Sequence, residues 1–421
     1  MQNAQNYQKN IVNFDSFNLD RRIVAGIMHA GFEEPTPVQK EVIPYAMEGR
    51  DIIGTAQTGT GKTAAFLLPI LQKLSGKKDH KLRALIVTPT RELADQIYDN
   101  IIALGKRTGL RSVTLFGGVS DTYQIRALEA GVDIAVVCPG RFIDLVYRDY
   151  VNTDDIEILV LDEADRMLDM GFLPDIKRIL GFLTKKRQTM LFSATFPPEI
   201  EALAKRTLTN PKRIALGLSK PATTVAHSLF PVQQHLKAKL LLEILKTSDT
   251  GSVLIFTRTK YRADGVMRKV KKMGYTVTSL HSNRSQPQRL KALRGFKTGA
   301  YRIMAATDIA ARGLDIEDVS HVINFDMPST PDDYIHRIGR TGRAEKTGDA
   351  FTFVTPDDEQ MIKRLERIMG SRIERKTLES FDYKAPKPDH PRGGTYNKKK
   401  TSSSHHAAKD ERSRHRRTRR K

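Results

Sequence analysis

Eight residues, Ala56 to Thr63, read AQTGTGKT between the apolar run DIIG and the helix-period segment AAFLLPILQKL. A glycine-rich turn between a strand and a helix points backbone N–H groups into a concave nest, and the helix N-terminus adds partial positive charge. Phosphates sit in such a nest. Ala56, Thr58, Gly59, Thr60 and Gly61 are the expected cradle, Lys62 reaches the β- and γ-phosphates, and Thr63 offers its hydroxyl to Mg²⁺. Ala56 stands where such loops usually begin with Gly, a small departure. One hundred residues after Lys62, the run ILVLDEAD ends four apolar residues in acids. A buried strand that stops at Asp162 sets a carboxylate beside the nest to hold Mg²⁺ through water, and Glu163 is placed to orient or deprotonate an attacking water. Asp165 reads as an acidic helix start favoured by the macrodipole.

Those side chains need a scaffold that repeats strand, turn and helix. From Asp51 onward DIIG precedes AAFLLPILQKL, LRALIVTPT precedes RELADQIYDNIIALGK, GVDIAVVCP precedes GRFIDLVYR, and EILVLDEA follows. That alternation predicts a parallel α/β sheet. Leu93, Ile97, Ile101 and Leu104 fall on one helical face, with Thr90 placed to cap the helix start. Around residues 217–228 the pattern lapses into small and polar residues with a proline, which reads as a linker. Beyond it GSVLIFT, YTVTSLH, YRIMAATD, HVINFD and DAFTFVT resume the alternation. The expected organisation is one α/β domain over 1–216, a linker over 217–228, a second domain over 229–383 and a tail over 384–421.

A chain of 421 residues, 39% hydrophobic, is long enough for two such cores. No apolar run approaches the roughly 18 residues of a membrane span, and the polar opening lacks a signal-peptide pattern. The single cysteine, Cys138, cannot form an intramolecular disulfide, which fits a reducing, cytoplasmic setting. A net charge of +22 favours a polyanionic partner. From Lys384 to Lys421, 14 Lys and Arg against 3 Asp and Glu supply half of that excess. Apolar residues nearly vanish there, so the tail is expected to be disordered and to act as an electrostatic tether.

With AQTGTGKT and DEAD in that order, the chain resembles the DEAD-box ATP-dependent RNA helicases of superfamily 2, over roughly residues 14–370. The resemblance implies two RecA-like domains in tandem. GFEEPTPVQ at 31–39 resembles the Q motif, which implies that Gln39 reads the adenine edge with its amide; Phe14 stands where the family stacks an aromatic on the base. PTREL at 89–93, GG at 117–118 and PGR at 139–141 resemble the RNA-contacting motifs of the first domain. They imply phosphate contacts at Pro89, Thr90, Arg91, Gly118 and Arg141, blind to base sequence. Cys138 replaces the family's usual Thr before PGR. SAT at 193–195 resembles motif III and implies that Ser193 and Thr195 couple ATP state to RNA work. LIFTRT at 254–259, QPQR at 286–289 and ATDIAARGLD at 306–315 resemble motif IV, the QxxR element and motif V. They imply RNA contacts at Arg258, Arg289, Thr307 and Arg312, with Asp315 accepting from the ATP ribose. HRIGRTGR at 336–343 resembles motif VI, and its Arg340 and Arg343, three apart on one helical face, are the implied arginine fingers. His281-Ser282-Asn283 stands where the family commonly has His-Gly-Asp.

The implied activity is an RNA-stimulated ATPase, using ATP and Mg²⁺, that opens short duplexes and remodels ribonucleoprotein. Because the water-orienting carboxylate and the fingers lie on different domains, hydrolysis waits for closure over RNA. An ATP-closed clamp without turnover is disfavoured by the intact Glu163, Arg340 and Arg343, and a DNA translocase by Gln39 and the DEAD tetrad. The implied partners are RNA and ribosomal or RNA-decay proteins, with no membrane and a monomeric chain; ribosome assembly, cold adaptation and RNA decay stay open as pathways. The tail, FLPDIKRIL and the short leader resemble the bacterial RhlE-type branch.

Overall fold

Strands that read ALIV, IAVV and ILVL have no polar face, so each must be covered on both sides, as central strands of a parallel sheet are. The computed structural model describes residues 13–55, 60–76, 79–183, 185–215, 225–248, 250–311, 316, 319–342 and 348–387. Ala56, Thr58, Gly59, Arg312, Asp315, Arg343, linker residues 217–224 and the tail beyond 387 lie outside them. The body of the fold, Met1–Tyr383, is one unit by its contacts.

The described residues form two seven-stranded sheets. The first holds β1 (Ile52–Thr55), β2 (Ala84–Val87), β3 (Ser112–Leu115), β4 (Ile134–Val137), β5 (Ile158–Leu161), β6 (Gln188–Ser193) and β7 (Lys212–Ala215), in the order β3-β4-β2-β5-β6-β1-β7. The second holds β8 (Val225–Pro231), β9 (Val253–Thr257), β10 (Val277–Leu280), β11 (Ile303–Thr307), β12 (His321–Asn324), β13 (Gly348–Val354) and β14 (Glu374–Arg375), in the order β10-β11-β9-β12-β13-β8-β14. Every pairing is parallel. Helices cover both faces of the first sheet, where the two apolar clusters are built around Phe66 and Phe142. This is the RecA-like tandem that the motif order implies. No helix among the described residues is long and apolar enough to cross a membrane.

Five strands escape the alternation read from sequence. The edge strand β3 alternates buried and half-buried residues over four positions, and β7 is largely uncovered, so neither carries a continuous apolar run. In β8 a His, a Ser and a terminal Pro interrupt the pattern. Val225–Ser228, assigned to the linker by composition, therefore open a strand that pairs with β13. β6 is buried throughout, and the two-residue β14 is too short for any pattern to register.

One device recurs where strands hand over to site loops. Thr88 donates to the Thr90 carbonyl (3.1 Å), Ser193 to the Thr195 carbonyl (2.7 Å) and Thr257 to the Thr259 carbonyl (3.2 Å). A hydroxyl at each strand end thus closes a turn over the next two residues. In two of these turns the second Thr then caps a helix: Thr90 accepts from the Leu93 N–H and Thr259 from the Arg262 N–H. Leu93, Ile97, Ile101 and Leu104 are all buried beneath the helix that Thr90 starts.

Candidate functional site

Gly61 takes a φ of 90°, a left-handed conformation that costs glycine little, and caps the helix Lys62–Leu74. Lys62 opens that helix and is 6% exposed; Thr60 and Thr63 flank the turn, half-buried. A Cβ on Gly61 would stand 2.6 Å from Gln39 Nε2 and 2.8 Å from Thr36 Oγ1. The turn is pressed against the start of the helix Pro37–Met47, and Gln39 fastens the two. Its Oε1 accepts from the Thr36 N–H (3.0 Å) and its Nε2 donates to the Gly61 carbonyl (3.1 Å). The amide expected at the adenine edge already uses its acceptor and one donor inside the protein. Phe14, expected to stack on the base, is 6% exposed in the core and meets Phe17 edge to face at 6.2 Å.

At the end of β5 the Asp162 N–H donates to the Val87 carbonyl at 3.0 Å, which fixes where the acids emerge. Burial pushes the Asp162 carboxyl up to about 6, against the pull of the Lys62 ammonium. Glu163 holds φ 53° and ψ 53°, a conformation uncommon outside glycine and often found at functional sites. Burial alone raises its carboxyl, but Arg166 (2.7 Å from Oε2), Lys62 and Arg340 together hold it below the usual range.

Asp165 is more than a helix start. Its Oδ2 accepts from the Ala194 N–H (3.1 Å), the Thr195 N–H (2.8 Å) and Thr195 Oγ1 (3.0 Å), while its own N–H donates to Ser193 Oγ (3.0 Å). The DEAD and SAT segments are thereby one hydrogen-bonded piece.

A cavity of about 220 Å³ separates this edge from the second lobe. Lys62, Glu163 and Thr195 line one wall; Thr330, His336 and Arg340 line the other. Thr330 caps the helix Pro331–Ile338 by accepting from the Asp333 N–H at 3.1 Å. Arg337, between His336 and Arg340 in sequence, turns inward instead. It forks onto Asp308 with two 2.6 Å bonds, donates to Asn324 and the Asp326 carbonyl, and lies over the Phe256 ring. Sequence reasoning missed Arg166 and His336; the i, i+3 spacing of Arg166 from Glu163 and the i, i+4 spacing of His336 from Arg340 were the available signals.

Among the described residues no three His, Cys, Asp or Glu gather as a protein metal cage. Mg²⁺ in nucleotide sites needs none, since one or two carboxylates and substrate phosphates suffice. The buried Asp162 carboxylate and the Thr63 hydroxyl are hard oxygen donors that fit it.

A second cleft, about 620 Å³, lies between the lobes. Thr90, Arg91 and Arg141 line it from the first and Ser282, Arg284 and Arg289 from the second, with Pro89 at the same wall. Gly118, at φ 77°, makes room for Arg91: a Cβ there would meet the guanidinium at 2.2 Å. Arg141 Nη2 reaches the Val119 carbonyl at 3.4 Å, so both arginines converge on one turn. Burial pushes the Cys138 thiol, also in this wall, up to about 12. Arg258 and Thr307 stand at the ends of the paired strands β9 and β11, outside this lining. Arg289, expected as an RNA contact, is in an ion pair across the lobes, its Nε 2.9 Å from Glu92 Oε1. The two atoms are close but not aligned as a hydrogen bond, and neither has a hydrogen-bond partner elsewhere.

Known proteins share this arrangement. The DEAD/DEAH box helicase model matches residues 36–203 and the helicase conserved C-terminal domain model residues 236–345. The chain is 38% identical over 372 residues to the DEAD-box ATP-dependent RNA helicase CshA of Bacillus subtilis, covering 88% of this chain and 75% of that one. It is 42% identical over 363 residues to the ATP-dependent RNA helicase CshA of Listeria monocytogenes, covering 86% and 69%. Among solved structures it is similar to S. cerevisiae Dbp5 bound to RNA and ADP BeF3, with a TM-score of 0.77, 31% identity, and coverage of 86% of this chain and 95% of that one. These relatives carry the CshA name, and the RhlE-type branch expected from the tail and FLPDIKRIL finds no support in them. Motif order, tandem sheets and relatives agree: this chain belongs to the DEAD-box ATP-dependent RNA helicases.

Proposed function

We propose that the smaller cavity is the ATP site of this helicase and the larger cleft its RNA path, with hydrolysis confined to the state in which the lobes meet. Lys62 and the turn around Gly61 hold the phosphates; Glu163 orients or deprotonates the attacking water; Arg340, with Arg343, stabilises charge developing on the γ-phosphoryl group. Mg²⁺, held by Asp162 and Thr63, would neutralise charge shared by the β- and γ-phosphates. Gln39 senses the nucleotide by exchanging its contacts to Thr36 and Gly61 for the adenine edge. The bond cluster on Asp165 transmits the state of the ATP site to Ser193 and Thr195. In the cleft, Arg91 and Arg141 take RNA phosphates without reading bases. The two lobes act as domains, the first over 1–216 and the second reaching from Val225, where its strand β8 opens, to 383, and the basic tail from 384 tethers RNA.

One observation carries this reading. Arg340, which follows the helix Pro331–Ile338 of the second lobe, lines the same cavity as Glu163, which follows strand β5 of the first. Dbp5, solved with RNA and ADP BeF3, supports the same pairing of ligands here. Steady-state ATP hydrolysis with and without RNA tests it. Arg340→Gln is expected to lower RNA-stimulated turnover by at least about 100-fold, within the range of arginine fingers. Undiminished turnover in that variant refutes the assignment, and a parent enzyme that RNA does not stimulate favours a clamp.

A further inference from the structure

His281-Ser282-Asn283 departs from the family's His-Gly-Asp, and nothing in the ATP chemistry absorbs it. These residues and Arg284 form the turn between β10 and the helix Gln286–Lys297. Asp264, on the helix Lys260–Lys272, gathers three groups on Oδ1: Ser279 Oγ at 2.8 Å, His281 Nε2 at 3.0 Å and Arg284 Nη2 at 2.9 Å. Arg284 Nη2 also donates to Ser279 Oγ at 2.8 Å. One corner of the guanidinium is tied down, while the side chain stays 30% exposed. Asn283 Oδ1 accepts from Lys260 Nζ at 2.8 Å and pins the other flank of the turn.

The turn borders the larger cleft, where Ser282 and Arg284 face a space whose opposite wall carries Arg91 and Arg141. Arg289, the other arginine of this lobe in the lining, is engaged with Glu92. We propose that residues 281–284 are a clamp for one phosphate of the RNA backbone, with Arg284 as the contact, the Ser282 hydroxyl as a second donor and Asp264 as the positioning residue. This rests on the reading of the cleft as the RNA path. A guanidinium already oriented by a carboxylate loses little freedom on binding and can present its remaining donors to phosphate oxygens as a fork. Ser282 adds a hydroxyl where glycine would offer only backbone. Burial raises the Asp264 carboxyl, but its bonds to His281 and Ser279 and the charge of Arg284 outweigh that and keep it ionised. The clamp adds to the cleft a lobe-two cation that the motif resemblance does not assign.

The test is the affinity of the full chain for a fluorescein-labelled oligouridine, with ADP and beryllium fluoride, across a potassium chloride series. Arg284→Gln is expected to weaken binding about tenfold at low salt and to flatten the slope of log affinity against log salt by about 0.7, one single-strand phosphate contact. Arg284→Lys should keep the slope and lose part of the affinity. Asp264→Asn should lower affinity at an unchanged slope, because the charge remains and only its placement loosens. An Arg284→Gln variant that melts earlier but keeps the parent slope overturns the clamp, as does a lysine variant whose slope falls as far as that of glutamine. A parent that binds no oligouridine overturns the functional reading itself.

Discussion

Glu92 and Arg289 make the interlobe contact whose loss is simplest to measure. Their side chains are 3% and 16% exposed, with nitrogen and oxygen 2.9 Å apart. At an effective dielectric of about 20 the attraction at that distance is roughly 6 kcal/mol. Desolvating two ions consumes most of it, which leaves a coupling of about 1–3 kcal/mol, or about 5- to 150-fold in an equilibrium constant. Glu92→Gln, Arg289→Gln and the double variant form a cycle, read as RNA affinity with ADP and beryllium fluoride and again without nucleotide. Each single change should weaken the nucleotide-dependent affinity, with Arg289→Gln the worse, because it leaves a buried carboxylate beside Asp95. The double variant should be no weaker than the worse single one. Strict additivity refutes an ion pair between lobes. If Arg289→Gln instead flattens the salt slope to the same degree whether or not Glu92 is present, Arg289 is the RNA contact that its motif implies.

Three further outcomes are expected. Gly61→Ala places a Cβ at φ 90° against Gln39 Nε2 and Thr36 Oγ1, at about 1–2 kcal/mol for the conformation alone, so ATP affinity measured with a fluorescent analogue should fall about tenfold or more; parent-like affinity contradicts the packed turn. Burial, with Glu92 and Asp99 adding like charge against Arg294, pushes Asp95 up to about 6. Its folded value lies above the unfolded one, so its contribution to stability is full below about pH 4 and is lost as pH rises through about 6; Asp95→Asn should melt higher than the parent at pH 7.5, and an equal or lower midpoint counts against the shift. Cys138, half-buried in the cleft wall with its thiol pushed up to about 12, should react with iodoacetamide far more slowly in the folded chain than in urea, and rapid labelling of native protein contradicts the raised thiol.

β2, β4 and β5 were legible from sequence because an uninterrupted apolar run such as ILVL, buried on both faces, admits little else. β3, β6, β7 and β8 were missed because polar residues interrupt each run, even in β6, which is buried throughout. The site divides on similar lines. Lys62, Asp162 and Glu163 are legible because nearby glycines and strand ends dictate their surroundings locally. Asp165 is not: its partners, Ser193 to Thr195, lie some thirty residues downstream, and only the adjacency of β5 and β6 brings them together. Arg289 likewise looks like any cation offered to phosphate until the topology sets Glu92 against it.

The same distinction bears on Glu163. Arg166 belongs to its own helix and follows it wherever the lobes go, whereas Arg340 arrives with the second sheet. Withdrawing Arg340 would therefore remove more than the proposed finger from the γ-phosphoryl group. It also removes one of the three cations that offset burial at the Glu163 carboxyl, so that its pKa rises and its ionised fraction at a given pH falls. Opening the lobes withdraws that cation but also re-exposes Glu163 to water, which relieves the burial that raises its carboxyl, whereas Arg340→Gln in the closed state removes the cation alone and should accordingly shift the acid limb of the hydrolysis profile to higher pH as well as lower its plateau.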